Sequence, residues 1–201
     1  MPKLKVTLFG VLTAVSLGIV APYASGQDGG EAYTAYLNGD YATALKEWRP
    51  LAEQGNLFAQ YDLGQMYRYG VGVPQNYKEA ARWYRLAAEQ GHFYAQFDLG
   101  WMYSDGKGVL QDDEEAARWY RLAAEQGHAP AQNNLGAMYW TGVGAPKDYI
   151  YSHMWFNLAA ANGHDGAESL RDIVAKIMTP TQIEQAQTLA KECLRKNYKG
   201  C

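Results

Sequence analysis

Apolar residues along the chain recur with helical spacing. Ala59, Leu63, Met66 and Tyr67 fall at i, i+4, i+7 and i+8, and Ala80, Trp83, Tyr84 and Ala87 at i, i+3, i+4 and i+7. Each set lies along one side of an amphipathic helix. Between the two sets runs Gly-Val-Gly-Val-Pro-Gln-Asn, residues 70–76. Its glycines allow a backbone with positive φ, and Asn76 is placed to cap the helix that follows. Asn76 with Glu79, and Asp112 with Glu115, have the spacing of capping boxes. Gly55, Gly91, Gly127 and Gly163 stand where a left-handed residue would end each second helix. The pattern predicts antiparallel helix pairs and no strand.

The pairs form a series. Residues 59–94 and 95–130 agree at 25 of 36 positions, and a third copy occupies 131–166. Asp40 to Asn56 repeats the second half of the unit one period upstream, so residues 31–58 form a partial unit. A fixed period of this size belongs to stacked units that cannot bury their apolar sides alone. The expected fold class is all-α, a solenoid of helix pairs with a 36-residue repeat. Residues 167–196 read as C-terminal capping helices. In the last of these Thr179 is the cap, Pro180 the first helical residue and Gln182 completes a capping box. No Pro/Ser/Gly-rich linker divides residues 27–201, which are taken as one domain.

The N-terminus reads as an export signal. Lys3 and Lys5 precede an uncharged run from Val6 to Val20, followed by Ala24-Ser25-Gly26, and cleavage is placed after Gly26. The run is shorter than the roughly 20 residues a spanning helix needs, so residues 1–26 are a secretory signal peptide and no stable membrane insertion is expected after its removal. The product is expected in the periplasm or secreted. Cleavage removes two lysines and no acid, moving the formal charge from −3 to about −5, which argues against nucleic acid as a partner.

The 36-residue period, the A-Q-x-x-L-G-x-M-Y helix, the G-x-G loop and the W-Y-x-x-A-A-E-Q-G-H helix resemble the Sel-one-like repeat family, relatives of the tetratricopeptide repeats. The resemblance covers 59–166 strongly and 31–58 in part. It implies a right-handed superhelix whose concave side, lined by the first helices, holds other proteins. Bacterial members are associated with envelope signalling and assembly. One cysteine-rich branch of the family is linked to β-lactam binding or hydrolysis, but this chain has no Cys between residues 27 and 192.

Candidate chemistry is sparse. Ser104-Asp105-Gly106-Lys107 matches the S-x-x-K of serine acyl-transfer enzymes, yet Gly106 belongs to the repeat's turn and neither S-D-N nor K-T-G occurs. The Gly-rich loops follow no strand and lack a P-loop Lys-Ser/Thr, so they are turns and not phosphate cradles. His92, His128 and His164 recur one per unit, roughly 10 Å apart if units pack at helix-packing distance, too far to share an ion. They are expected near the carbonyls that end the preceding helix, and His153 is expected to be structural. No metal, cofactor or catalytic residue is implied.

Leu63, Leu99 and Leu135 with Trp83, Trp119 and Trp155 recur in every unit and read as core. Trp119→Ala is expected to cost about 3 to 5 kcal/mol; an unchanged melting temperature would refute that assignment. Other positions do not repeat. Tyr61, Gln65 and Arg68 become Phe97, Trp101 and Ser104, then Asn133, Ala137 and Trp140. This stripe, rich in the residues that dominate binding hot spots, is the candidate partner-binding surface. Cys193 and Cys201 are either a disulfide closed by a turn at Asn197 to Gly200, or a buried thiol and a frayed tail; an oxidising compartment favours the bridge. The expected function is an exported scaffold that binds a protein or peptide, not an enzyme. The alternatives are a β-lactam or peptidoglycan hydrolase and a fixed structural subunit of a periplasmic machine.

Overall fold

The computed structural model describes residues 30–201, so the export signal read in residues 1–26 lies outside the described part. Within it the chain forms ten helices and no strand: α1 (Gly30–Leu37), α2 (Tyr41–Glu53), α3 (Leu57–Tyr69), α4 (Tyr77–Glu89), α5 (Phe93–Asp105), α6 (Asp113–Ala124), α7 (Ala129–Thr141), α8 (Tyr149–Ala161), α9 (Ala167–Ala175) and α10 (Pro180–Arg195). Each helix packs on the next from α1 to α9, and α10 returns across α8. The result is an all-α solenoid of stacked helix pairs.

Local chemistry fixes the helix ends. Asn76, Asp112 and Asp148 each accept two backbone N–H groups of the following helix through one side-chain oxygen. The reciprocal half of the expected capping boxes is absent at Asn76 and Asp112. Their own N–H groups are already given to the Tyr67 and Tyr103 carbonyls, and Glu79 and Glu115 accept from Arg82 and Arg118 instead. At Thr179 nothing competes, and the full box with Gln182 forms. The second loop glycine is demanded by sterics. A Cβ at Gly108 would overlap the Tyr77 carbonyl oxygen, and one at Gly144 the Asp113 carbonyl, so each loop lies directly on the previous unit's second helix.

The core is built at the junctions. Leu63, Leu99, Leu135, Trp83, Trp119 and Trp155 are all buried. Within the first helices a small residue is required: a Cβ at Gly100 would stand 2.9 Å from the Tyr120 ring, and one at Gly136 2.9 Å from Phe156. Polar side chains cross the same junctions. Buried Gln60, Gln96 and Gln132 each donate to a carbonyl ending the preceding second helix, at Ala52, Ala88 and Ala124. Each then accepts from the end of its own unit's second helix, from Gln90, Gln126 and Asn162. Three consecutive helices are thereby tied by two hydrogen bonds, which satisfy groups that would be costly to bury alone. A second set joins Arg49 to Tyr67, Arg85 to Tyr103 and Arg121 to Tyr139.

At the C-terminal end Cys193 and Cys201 are bonded, with their Cα atoms 5.6 Å apart. Asn197 and Tyr198 turn the chain in left-handed conformations, and the Tyr198 N–H returns to the Cys193 carbonyl. This places the Tyr198 hydroxyl on Asn162 Oδ1 at 2.9 Å.

Candidate functional site

The non-repeating stripe lies where successive first helices adjoin. Tyr61, Gln65, Arg68, Phe97, Trp101, Asn133 and Trp140 are all half-buried: each packs into the junction and keeps part of its surface open. The Tyr61 ring lies 4.5 Å from His92 and 6.1 Å from Tyr94. One unit on, Phe97 lies 4.8 Å from His128. Trp140 meets Phe156 edge-on at 6.5 Å. Asn133 keeps a buried Oδ1 with no hydrogen bond among the described residues.

The junction of α3 and α5 holds a charge pair. Arg68 is bonded to Asp98, its guanidinium 4.2 Å from the Trp101 ring and 5.1 Å from Tyr69. Gln65 donates to the other Asp98 oxygen at 3.3 Å and also to the Tyr61 hydroxyl. Burial raises the Asp98 carboxyl, while Arg68 and the Tyr61 hydroxyl act against that rise. Burial and then the Asp98 charge push the Tyr61 and Tyr84 phenols well above their usual range. Asp98 was not singled out in the sequence because it sits in the repeated A-Q-x-D-L-G motif. The signal that could have found it is that the same motif carries Asp62 and Asp98 but Asn134.

Toward the N-terminal end, a cleft of about 130 Å³ opens between α1, α2 and α3, lined by Tyr33, Tyr36, Trp48, Asp62, Gln65 and Tyr69. The sequence reading named only Gln65 of these. Tyr33 and Tyr36 lie three residues apart on α1, the spacing that puts two side chains on one side of a helix.

His92 and His128 are the N-caps of α5 and α7, while His164 lies in the turn before α9 and His153 within α8. The His92 N–H bonds the Ala87 carbonyl, but its imidazole turns the other way and accepts from the Ala95 N–H as the cap of α5. At His92 this differs from the expectation that the ring lies near the preceding carbonyls; the His128 ring forms no cap hydrogen bond, and the Nδ1 atoms of His128 and His164 are buried without a hydrogen bond among the described residues. Burial pushes His92 down to about 4, and burial with the nearby His164 does the same to His128. His153 is buried on α8 and likewise lowered, by burial and then by Arg171. Ser104 lies in the last turn of α5, and Gly106 ends that helix in a left-handed conformation. Lys107 beyond it is exposed, its ammonium 5.8 Å from the Tyr77 ring. The helical register that S-x-x-K chemistry needs is therefore broken. Among the described residues no three His, Cys, Asp or Glu side chains group as a metal site would, and no helix is long and apolar enough to cross a membrane.

A family model described as Sel1 repeat matches residues 57–92, 93–128 and 129–164, a frame set two residues ahead of the one read from the motifs. A search of curated proteins gave no match. Among solved structures, a Sel1 repeat protein from Oxalobacter formigenes aligns with a TM-score of 0.65 and 29% identity, over 85% of this chain and 77% of that one. A protective antigen present in uropathogenic Escherichia coli strains, displaying an SLR fold, aligns with a TM-score of 0.60 and 30% identity, over 85% of this chain and 46% of that one.

Proposed function

The chain belongs to the Sel1 repeat family, and on that premise we propose that it is an exported scaffold that binds a protein or peptide along the side formed by α3, α5 and α7. Sel1 repeat proteins generally mediate protein–protein interaction. The observation that carries the reading is the half-open stripe: Tyr61, Arg68, Phe97, Trp101 and Trp140 are anchored at their inner ends by junction packing and open at their outer ones. Aromatic and arginine side chains held rigid in this way lose little freedom on binding, the property of interface hot spots. Export is supported by the N-terminal pattern and by the Cys193–Cys201 bond, which suits an oxidising compartment such as the periplasm or the exterior.

Affinity capture from envelope extract tests this reading, comparing the chain with a Tyr61/Trp101/Trp140→Ala variant whose fold is checked by circular dichroism. A protein retained by the first and lost by the second is the expected result. Equal recovery by both would overturn the assignment of this surface.

A further inference from the structure

Asparagine followed by glycine occurs twice in the chain, at Asn38-Gly39 and at Asn162-Gly163. The two pairs occupy the same kind of turn. Each glycine has a positive φ, 78° and 82°, and its N–H bonds the carbonyl of Tyr36 or Ala160 at 3.0 Å. The next N–H, of Asp40 or His164, closes the turn on Ala35 or Ala159 at 2.9 Å. Neither glycine is crowded, since an added Cβ would meet nothing within 4 Å. The asparagine side chains differ. Asn162 is half-buried; its amide donates to Gln132 at 2.9 Å and to the Gly127 carbonyl at 3.4 Å, and its Oδ1 accepts from the Tyr198 hydroxyl at 2.9 Å. Asn38 is exposed, and its side chain makes no hydrogen bond with a described residue.

We propose that Asn38 is a site of self-modification, at which the chain converts its own asparagine to aspartate and isoaspartate, and that Tyr198 spares Asn162 the same chemistry. The Gly39 nitrogen, its proton lost to solvent base, attacks Asn38 Cγ. A C–N bond forms, the Cγ–Nδ2 bond breaks, and the amide nitrogen leaves as ammonia with a proton from water. Solvent water then opens the cyclic imide. Addition at Cγ restores the ordinary backbone as aspartate, whereas addition at the backbone carbonyl leaves the chain running through the side chain as isoaspartate. With no Cβ on residue 39, nothing shields the attacking nitrogen. The two glycine nitrogens are held alike, so the freedom of the asparagine side chain decides which pair reacts. Asn162 must first leave its hydrogen bonds, a local opening that the Asn38 side chain does not need. The product bears on the fold. A carboxylate at the C-terminal end of α1 is opposed by the helix dipole, and the last turn of α1 has no basic residue to offset it. Because Ala32 and Ala35 of α1 close the core beside Trp48, conversion loosens the N-terminal end of the array.

The test is incubation of the folded, oxidised chain in mildly alkaline buffer, followed by tryptic mapping. Mass reads the exchange of amide for acid in the peptides ending at Lys46 and Arg171, and fragmentation tells isoaspartate from aspartate. In urea with the bridge reduced, the two asparagines should convert at similar rates, because both precede glycine. In the folded chain Asn38 should convert at least about tenfold faster than Asn162, whose amide must break its hydrogen bonds first. Isoaspartate should accompany aspartate at residue 38, and Asn38→Gln should remove the mass change from the peptide ending at Lys46. Tyr198→Phe, which keeps the ring and removes the hydroxyl, should speed Asn162 and leave Asn38 as it was. Equal rates in the folded chain, or an Asn38 that stays intact there, would overturn the site. Aspartate without isoaspartate would overturn the imide route, and an Asn162 rate unmoved by Tyr198→Phe would overturn the shielding.

Discussion

Arg68 and Asp98 illustrate how one side chain can belong both to the fold and to a surface. Their side chains are 17% and 9% exposed, so removing either partner leaves a charge largely withdrawn from water, at a cost of about 3 kcal/mol or more. Asp98→Ala and Arg68→Ala should each lower the urea midpoint strongly. The double variant Arg68→Met with Asp98→Leu should recover most of the loss, because no unpaired charge remains. Additive losses would mean that the two side chains are not coupled. The sequence made Arg68 conspicuous because it does not repeat, but it could not show a partner on the neighbouring unit. A second residue-scale effect concerns acid. Free histidine titrates near 6.5, whereas His92 and His128 are held down to about 4. Between those values the unfolded chain binds protons that the folded one refuses, so stability falls as pH drops from about 6.5 toward 4. The melting temperature should decline between pH 7 and pH 5, before ordinary carboxylates titrate. His92→Asn should reduce that decline and leave the part due to His128, since Asn56 already performs the same capping in the preceding unit.

At the scale of elements, helix starts, helix stops and loop glycines were legible in the sequence, because each depends on a local rule about backbone donors or positive φ. The capping boxes at Asn76 and Asp112 were not, since the decisive competitor is a carbonyl of the previous helix, nine residues back. A turn at Asn197 to Gly200 was one of two readings of the C-terminal end, but its anchoring was not legible, for Tyr198 bonds to Asn162 from 36 residues away. The bridge holds that turn. Closing a loop of this length contributes about 2 to 3 kcal/mol by restricting the open chain. Cys193→Ser should therefore release residues 193–201 locally: faster hydrogen exchange there, and faster tryptic cleavage after Lys196, with exchange across 57–164 unchanged. Protection that stays the same in the tail would show that Tyr198 holds without the bridge.

For the whole molecule, the period in the sequence was sufficient to predict a helical solenoid, since it dictates stacking whatever the details of each junction. The N-terminal cleft was not legible, because the loop after α1 departs from the G-x-G pattern that aligned the rest. Stability in such an array is close to a sum over units and the junctions between them. That makes the hydrogen bonds of Gln60, Gln96 and Gln132 interchangeable parts. If residues 93–128 were excised, Ala88 would receive Gln132 in place of Gln96, and Arg85 would find Tyr139 in place of Tyr103. Of the junction pairs, the one between Arg68 and Asp98 would lose its acid, to Asn134. The shortened chain should still give a helical circular dichroism spectrum and a cooperative, if lower, melt. By that logic the number of units is a quantity that gene duplication or deletion can change in whole steps, while the ends of the array stay as they are.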